Sequence, residues 1–274
     1  MERSTLYLVP TPIGNLKDIT LRAIDVLGSV DLIACEDTRH TRKLLNHLGI
    51  RKALISYERF SETKKLEIIL DELRAGKNVA LVSDAGTPAI SDPGSKLVTK
   101  ARGQGIRIEA LPGPSALITA FSASGFEPPF RFIGFFPRQK DKIEKELLRI
   151  RLSQDVTIFY ESPRRLLKTL NSMAECLQER EIFVAREITK LHEEYLAGTV
   201  ENVKSHIEGR DLKGEVTVLV KGTHEVFERD EKSLRDLALQ LVSSGHSKKD
   251  ILQILTQETG FRRNEIYNML IDLV

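Results

Sequence analysis

Asn78-Val79-Ala80-Leu81-Val82-Ser83-Asp84-Ala85-Gly86-Thr87-Pro88-Ala89-Ile90-Ser91-Asp92-Pro93-Gly94-Ser95-Lys96-Leu97-Val98 is the stretch that decides how this chain is read. Its first five residues read as a short buried strand, and its last four open a helical pattern. The loop between them is built from Gly, Pro, Ser and Asp. A strand that ends in such a loop before a helix is where α/β proteins place ligand sites. Gly86 and Gly94 open backbone conformations closed to other residues, and Pro88 and Pro93 stiffen the loop. With the carboxylates of Asp84 and Asp92, the stretch predicts one wall of a pocket.

The same theme recurs on both sides of it. Leu6-Tyr7-Leu8-Val9 runs into Pro10-Thr11-Pro12-Ile13-Gly14-Asn15, and Asp31-Leu32-Ile33-Ala34-Cys35 runs into Glu36-Asp37-Thr38-Arg39. Ile106-Arg107-Ile108-Glu109-Ala110-Leu111 runs into Pro112-Gly113-Pro114-Ser115. Helical patterns over 21–27, 41–48, 65–75 and 95–102 alternate with these strands. The alternation predicts an α/β domain over residues 1–125, with a parallel sheet covered on both faces. All four loops then leave the C-terminal edge of that sheet and face one cleft. Residues 122–129, rich in Ser, Gly and Pro, read as a link.

Residues 126–225 predict a second α/β domain with a mixed sheet. Its strand candidates are 130–136, 156–160, 182–185 and 215–220, and its helices 142–151 and 163–177. Beyond about Glu228 the chain reads as helix only, a module over 226–274. One helix spans 234–242 and ends at Gly245; Ser247 caps a second through Leu255; Gly260 breaks before a third at Arg263. The cadence is that of a helix-turn-helix, or of a packing appendage that touches no nucleic acid.

Bulk properties narrow the class. The 274 residues are 41% hydrophobic and 29% charged with a formal net charge of +2, a globular composition that neither demands nor excludes a nucleic-acid partner. No apolar run approaches bilayer length, and the apolar run at residues 6–9 is too short for a signal peptide, so a cytoplasmic location is expected. Cys35 and Cys176 lie outside any metal-ligand spacing, and Cys35 reads as a buried, inert thiol. No Gly-x-x-x-x-Gly-Lys-Ser/Thr run and no Gly-x-Gly-x-x-Gly after the first strand occur. P-loop hydrolysis and ordinary dinucleotide binding therefore lack support. Proline and acidic loops suit a polar, cationic small molecule better than a polyphosphate.

The four loop motifs together resemble the tetrapyrrole methylase superfamily. The likeness to its branch acting on small-subunit ribosomal RNA continues through Gly134-Phe135-Phe136-Pro137, Tyr160-Glu161-Ser162-Pro163, Ala185-Arg186-Glu187-Ile188-Thr189-Lys190, His192-Glu193-Glu194 and Gly214-Glu215. It covers essentially the whole chain. The resemblance implies a methyltransferase that binds S-adenosylmethionine in a cleft between two domains. Its acceptor would be the ribose 2′-oxygen of a cytidine in the decoding centre of 16S ribosomal RNA, free or in the 30S subunit. It also implies a homodimer, with no membrane and no metal.

By the same carry-over, Pro12 and Gly14 lie under the cofactor, and Asp84, Gly86, Thr87, Ala89 and Ile90 approach its methionine and ribose. Ser115 and Ala116 line it, and Tyr160, Ala185 and Glu215 contact the adenosine. A 2′-hydroxyl is a poor nucleophile, and the candidate bases are Asp37, Glu161, Glu187 and Lys190. Asp37 could equally cap a helix, and Glu187 with Lys190 could form a plain ion pair. Arg39 and Arg186 are candidates to hold phosphate, joined by Arg42, Arg138 and Lys248 in locally basic segments. His192 lacks a second histidine at ligand spacing. A tetrapyrrole-ring methylase and a DNA-binding regulator using the helical tail stay open as alternatives.

Overall fold

A computed structural model describes residues 4–58, 62–223, 231–243, 247–258 and 261–272. The expected breaks at Glu228, Gly245 and Gly260, and the 225/226 boundary, lie outside the described residues. By backbone packing the chain forms two units, one of Met1–Ala120 with Glu187–Glu194, the other of Phe121–Arg186 with Tyr195–Val274.

In the first unit the strands are β1 (Thr5–Leu8), β2 (Leu32–Cys35), β3 (Ala53–Ser56), β4 (Val79–Val82) and β5 (Arg107–Ala110). Between them run α1 (Leu21–Ser29), α2 (Thr38–His47), α3 (Glu62–Arg74) and α4 (Ser95–Gly103), and α5 (Ala116–Ser124) follows. The sheet order is β3-β2-β4-β1-β5, and every pairing in it is parallel. β4 is buried along its whole length because both faces are covered. Val79 and Leu81 pack with Leu70 and Leu73 of α3 and with Leu97 and Ala101 of α4. Ala80 and Val82 turn the other way, onto Ala23 and Leu27 of α1 and Leu45 of α2. That alternation is the period of a strand sandwiched between helices.

The sequence pattern predicts no strand at Ala53–Ser56. The segment is a four-residue strand, only partly buried, and it adds beside β2 at the outer edge. The strands that carry the four loops, β2, β4, β1 and β5, therefore remain contiguous, and parallel pairing puts all four loops at one edge. The stretch 122–129, read as link throughout, begins as helix: α5 continues to Ser124, and Gly125 follows with φ +69°.

The second unit holds β6 (Phe130–Phe135), α6 (Lys140–Leu152), β7 (Val156–Glu161), α7 (Pro163–Leu177), β8 (Glu181–Arg186), β9 (Glu194–Thr199), α8 (Val200–Ile207) and β10 (Val216–Val220). Its order is β6-β7-β10-β8-β9, with β6 parallel to β7 and β10 antiparallel to both β7 and β8. The mixed sheet is as expected; β9 and α8 are additions. Three further helices, α9 (Glu231–Ser243), α10 (Lys248–Glu258) and α11 (Arg263–Asp272), complete it. They share an apolar core with Leu148 and Leu152 of α6. The cap expected at Ser247 is present, its hydroxyl accepting the Asp250 N–H at 3.2 Å. Among the described residues, no helix is long and apolar enough to cross a membrane.

Candidate active site

The loops at the edge of the first sheet are locked to one another. Thr11 and Gly86 exchange backbone hydrogen bonds of 3.0 and 2.9 Å, tying the loop after β1 to the loop after β4. The Thr11 hydroxyl donates to the Ser83 carbonyl at 3.0 Å, and the Ser83 hydroxyl donates to the Gly86 carbonyl at 3.1 Å. Thr87 donates to the Pro114 carbonyl at 3.0 Å, joining the loop after β5. The Asp37 N–H donates to Asp84 Oδ1 at 3.1 Å, joining the loop after β2. These contacts leave little room: a Cβ on Gly113 would lie 2.7 Å from Pro10 Cβ. One on Gly94, where φ is +142°, would lie 2.8 Å from Leu81 Cδ2.

A fifth segment joins them. Glu187–Glu194 packs with this unit, and the Thr189 hydroxyl accepts the Asn15 N–H at 3.1 Å. Thr189 is held in turn by Glu193, whose carboxylate accepts its N–H at 2.5 Å. A Cβ on Gly14 would collide with Lys190 Cγ and lie 2.8 Å from Thr189 Oγ1. Among the described residues, left-handed backbone at non-glycine positions occurs at Ala89, Glu187 and Thr189, with φ of 66°, 52° and 67°. All three belong to these segments. Each such residue costs about 1–2 kcal/mol, and strain of this kind gathers where a binding geometry is enforced.

The sequence-derived cofactor residues divide between the units. Pro12, Gly14, Asp84, Gly86, Thr87, Ala89, Ile90 and Ser115 stand on the interlocked loops, with Ile90 exposed, and Ala116 opens α5 directly after the last of them. Asp84 is half-buried, and the hydrogen bond from Asp37 is the one its carboxylate makes among the described residues. Its second oxygen is thus available to accept from an ammonium or hydroxyl. In the second unit, Tyr160 on β7 and Ala185 on β8 flank Thr217 of β10 in register, and Glu215 immediately precedes β10. Tyr160 is packed edge-on against Phe132 and Phe135, at 5.0 and 5.7 Å between ring centroids. Phe135, which extends this aromatic surface and is exposed, was quoted from sequence within the Gly134–Pro137 motif but given no role at the site.

The candidate bases are all engaged. Asp37 caps α2 through the Arg39 N–H at 2.8 Å, and the Arg39 guanidinium forks onto both of its oxygens at 3.2 and 2.8 Å. That pairing holds the Asp37 carboxyl well below the usual carboxylate range. Glu161 is buried and accepts from the Ser162 N–H at 2.7 Å and the Thr169 hydroxyl at 2.6 Å. Arg165 lies 3.3 Å from Glu161 and donates to the Pro137 carbonyl, so the carboxylate ties the end of β7 to α7, and Arg165 ties α7 to the loop between β6 and α6. Glu187 and Lys190 form an ion pair at 2.8 Å beside Gly14. Cys35 is fully buried at the end of β2, and burial pushes its thiol up, in keeping with an inert role.

The phosphate candidates divide between the units. Arg39 and Arg42 are exposed on α2, and Arg138 and Lys248 are exposed in the second unit. Arg186 donates to the Lys213 carbonyl at 3.1 Å. Among the described residues, no group of three His, Cys, Asp or Glu side chains is arranged to hold a metal ion.

The family model described as tetrapyrrole (corrin/porphyrin) methylases matches residues 5–204. A relative in Bacillus subtilis, named ribosomal RNA small subunit methyltransferase I, is 42% identical over 270 residues, covering 96% of this chain and 92% of its own. One of the same name in Thermotoga maritima is 47% identical over 218 residues, covering 79% of this chain and 98% of its own. Among solved structures, a uroporphyrin-III C-methyltransferase from Thermus thermophilus superposes with a TM-score of 0.56 at 19% identity, covering 80% of this chain and 94% of its own. A diphthine synthase superposes with a TM-score of 0.59 at 15% identity, covering 80% and 90%. These two structures establish the fold.

Proposed function

This chain belongs to the tetrapyrrole methylase family, and from that premise we propose that it transfers a methyl group from S-adenosylmethionine to the ribose 2′-oxygen of a cytidine in the decoding centre of 16S ribosomal RNA. The observation that carries the reading is the match to relatives named for small-subunit ribosomal RNA across nearly the whole of both chains. We extend the reading to a cytoplasmic location, the compartment that fits a ribosomal acceptor, and, on family likeness alone, to a homodimer.

The first unit's loops suit the cofactor. Asp84 offers one hydrogen-bonded and one open carboxylate oxygen, fitting a ligand that carries an ammonium and ribose hydroxyls. Gly14, Gly86 and Gly113 let backbone approach where any Cβ would crowd a neighbouring loop. Bound S-adenosylmethionine supplies a sulfonium methyl, an already activated group. The protein's task is then largely to hold the acceptor oxygen in line with it, and rigid, mutually bonded loops serve positioning.

Of the candidate bases, Glu187 and Lys190 are placed best. They stand together against the Pro12–Gly14 loop, while Asp37 is committed to Arg39 and Glu161 to α7. Glu187 would take the 2′-hydroxyl proton, with Lys190 holding its carboxylate in place. Tyr160, Ala185 and Glu215 are assigned to the adenosine by family likeness, a role that single substitutions read by cofactor affinity would test.

Transfer of tritium from labelled S-adenosylmethionine is the test, offered against 30S subunits, naked 16S RNA and a panel of porphyrin and corrin acceptors. Label on small-subunit RNA and none on the ring compounds is expected. Label on a tetrapyrrole alone would replace this reading with the ring-methylase one.

A further inference from the structure

The last three helices bear charges of both signs, yet the two signs are used differently. On α10, Asp250 is taken up by Lys145 at 3.0 Å and by the Ser247 hydroxyl. On α11, Glu265 accepts the Arg262 N–H at 2.8 Å, a capping arrangement that closes the helix start. Lys248, Lys249, Arg262 and Arg263 are exposed and have no carboxylate partner among the described residues.

Their positions carry a second signal. Lys248 and Lys249 are the first two residues of α10, and Arg262 and Arg263 straddle the start of α11. A helix start bears the positive end of the backbone dipole, where cations are disfavoured. Two basic pairs at two helix starts therefore oppose the local electrostatics of the module. They gain a purpose when a polyanion lies along the module, because its phosphates offset the repulsion between each basic pair and the positive end of its helix. The outer face of α11 adds Asn264, Tyr267 and Asn268, all exposed, while Ile266, Met269 and Leu270 hold its inner face in the core. Guanidinium and ammonium groups for phosphate, amides for base edges and a ring for stacking are the inventory of RNA contact. The matched family region stops at residue 204, so these helices are an addition to the methylase body.

We propose that the α10–α11 surface is an accessory RNA grip, holding phosphates of the acceptor through Lys248, Lys249, Arg262 and Arg263; the inference rests on the reading of the acceptor as RNA. The near balance of formal charge conceals it, because Asp250 and Glu265 are engaged within the fold while these four basic side chains meet no carboxylate among the described residues.

The test uses the full chain carrying K248A/K249A, R262A/R263A or all four changes. Filter binding to 30S subunits and to a synthetic decoding-region RNA is measured between about 50 and 200 mM salt. The fourfold variant is expected to bind both at least tenfold more weakly, with the log–log salt slope flattened by about 0.7 for each phosphate it no longer neutralises. R262K/R263K retains most of the binding, and cofactor affinity and the thermal transition stay where they were. Unchanged RNA affinity and slope overturn the proposal. So does a weakening confined to 30S subunits with naked RNA bound as before, which assigns the surface to a ribosomal protein. Methyl transfer by the parent chain is scored separately: its absence from every RNA overturns the acceptor reading, whereas intact transfer with unchanged binding overturns the grip alone.

Discussion

The loops at the edge of the first sheet and the helical module at the end of the chain use polar residues in opposite ways. In the loops, hydroxyls and backbone groups bond to each other, and glycines sit where a single added carbon would collide. In the module, the basic side chains at the helix starts are exposed and meet no carboxylate among the described residues. The first arrangement fixes geometry, as the proposed cofactor site requires. The second offers charge with tolerance, as the proposed contact with RNA requires. Substitutions should therefore be costly and structural in the loops, and mild and salt-dependent in the module.

That contrast can be broken at several points. The largest effect is expected for Asp84→Ala, which removes both the open oxygen and the bond to the Asp37 N–H. Cofactor affinity measured by calorimetry should fall by about a hundredfold, from a charge-assisted bond of roughly 1.5–3 kcal/mol and the loosened loop. Retained affinity would take Asp84 out of the site. Gly94→Ala should destabilise the first unit by about 1–3 kcal/mol, through a left-handed backbone and a clash with Leu81, read by denaturant unfolding. Thr189→Ala removes the acceptor for the Asn15 N–H; with a net hydrogen bond near 1 kcal/mol, cofactor binding should weaken about fivefold and Thr189→Ser should restore it. Asp37→Asn is expected to leave the shape of the pH–rate profile unchanged. Arg39 holds that carboxyl far below the working range, so Asp37 contributes no titrating limb there. In the module, Lys248→Ala alone should shift stability by no more than about 0.5 kcal/mol, which a melting curve would check.

Sequence made the two regions unequally legible. The parallel sheet was readable because four short apolar runs each ended in Gly, Pro or Asp, signals that depend on neighbours in the chain. The strand at Ala53–Ser56 escaped because a four-residue, half-exposed edge strand has no hydrophobic period to read. The strand at Glu194–Thr199 escaped because its apolar run, Tyr195-Leu196-Ala197, is only three residues long and is cut by Gly198. Placement of Lys190 against Gly14 was invisible, since it joins residues far apart in the chain through a turn whose left-handed Glu187 and Thr189 carry no glycine signal. The ion pair between Glu187 and Lys190, and the cap made by Asp37, were by contrast local patterns and could be read. Family likeness supplied the ligand and acceptor, which no spacing of residues names.

The most direct measurement is nucleoside mass spectrometry of 16S RNA recovered from 30S subunits incubated with the pure protein and S-adenosylmethionine. The account predicts one cytidine in the decoding centre gaining a single methyl group on its ribose, a gain abolished when Asp84 is replaced by Ala. A methyl group on a base, or 16S RNA that stays unmodified by protein shown to bind the cofactor, would contradict it.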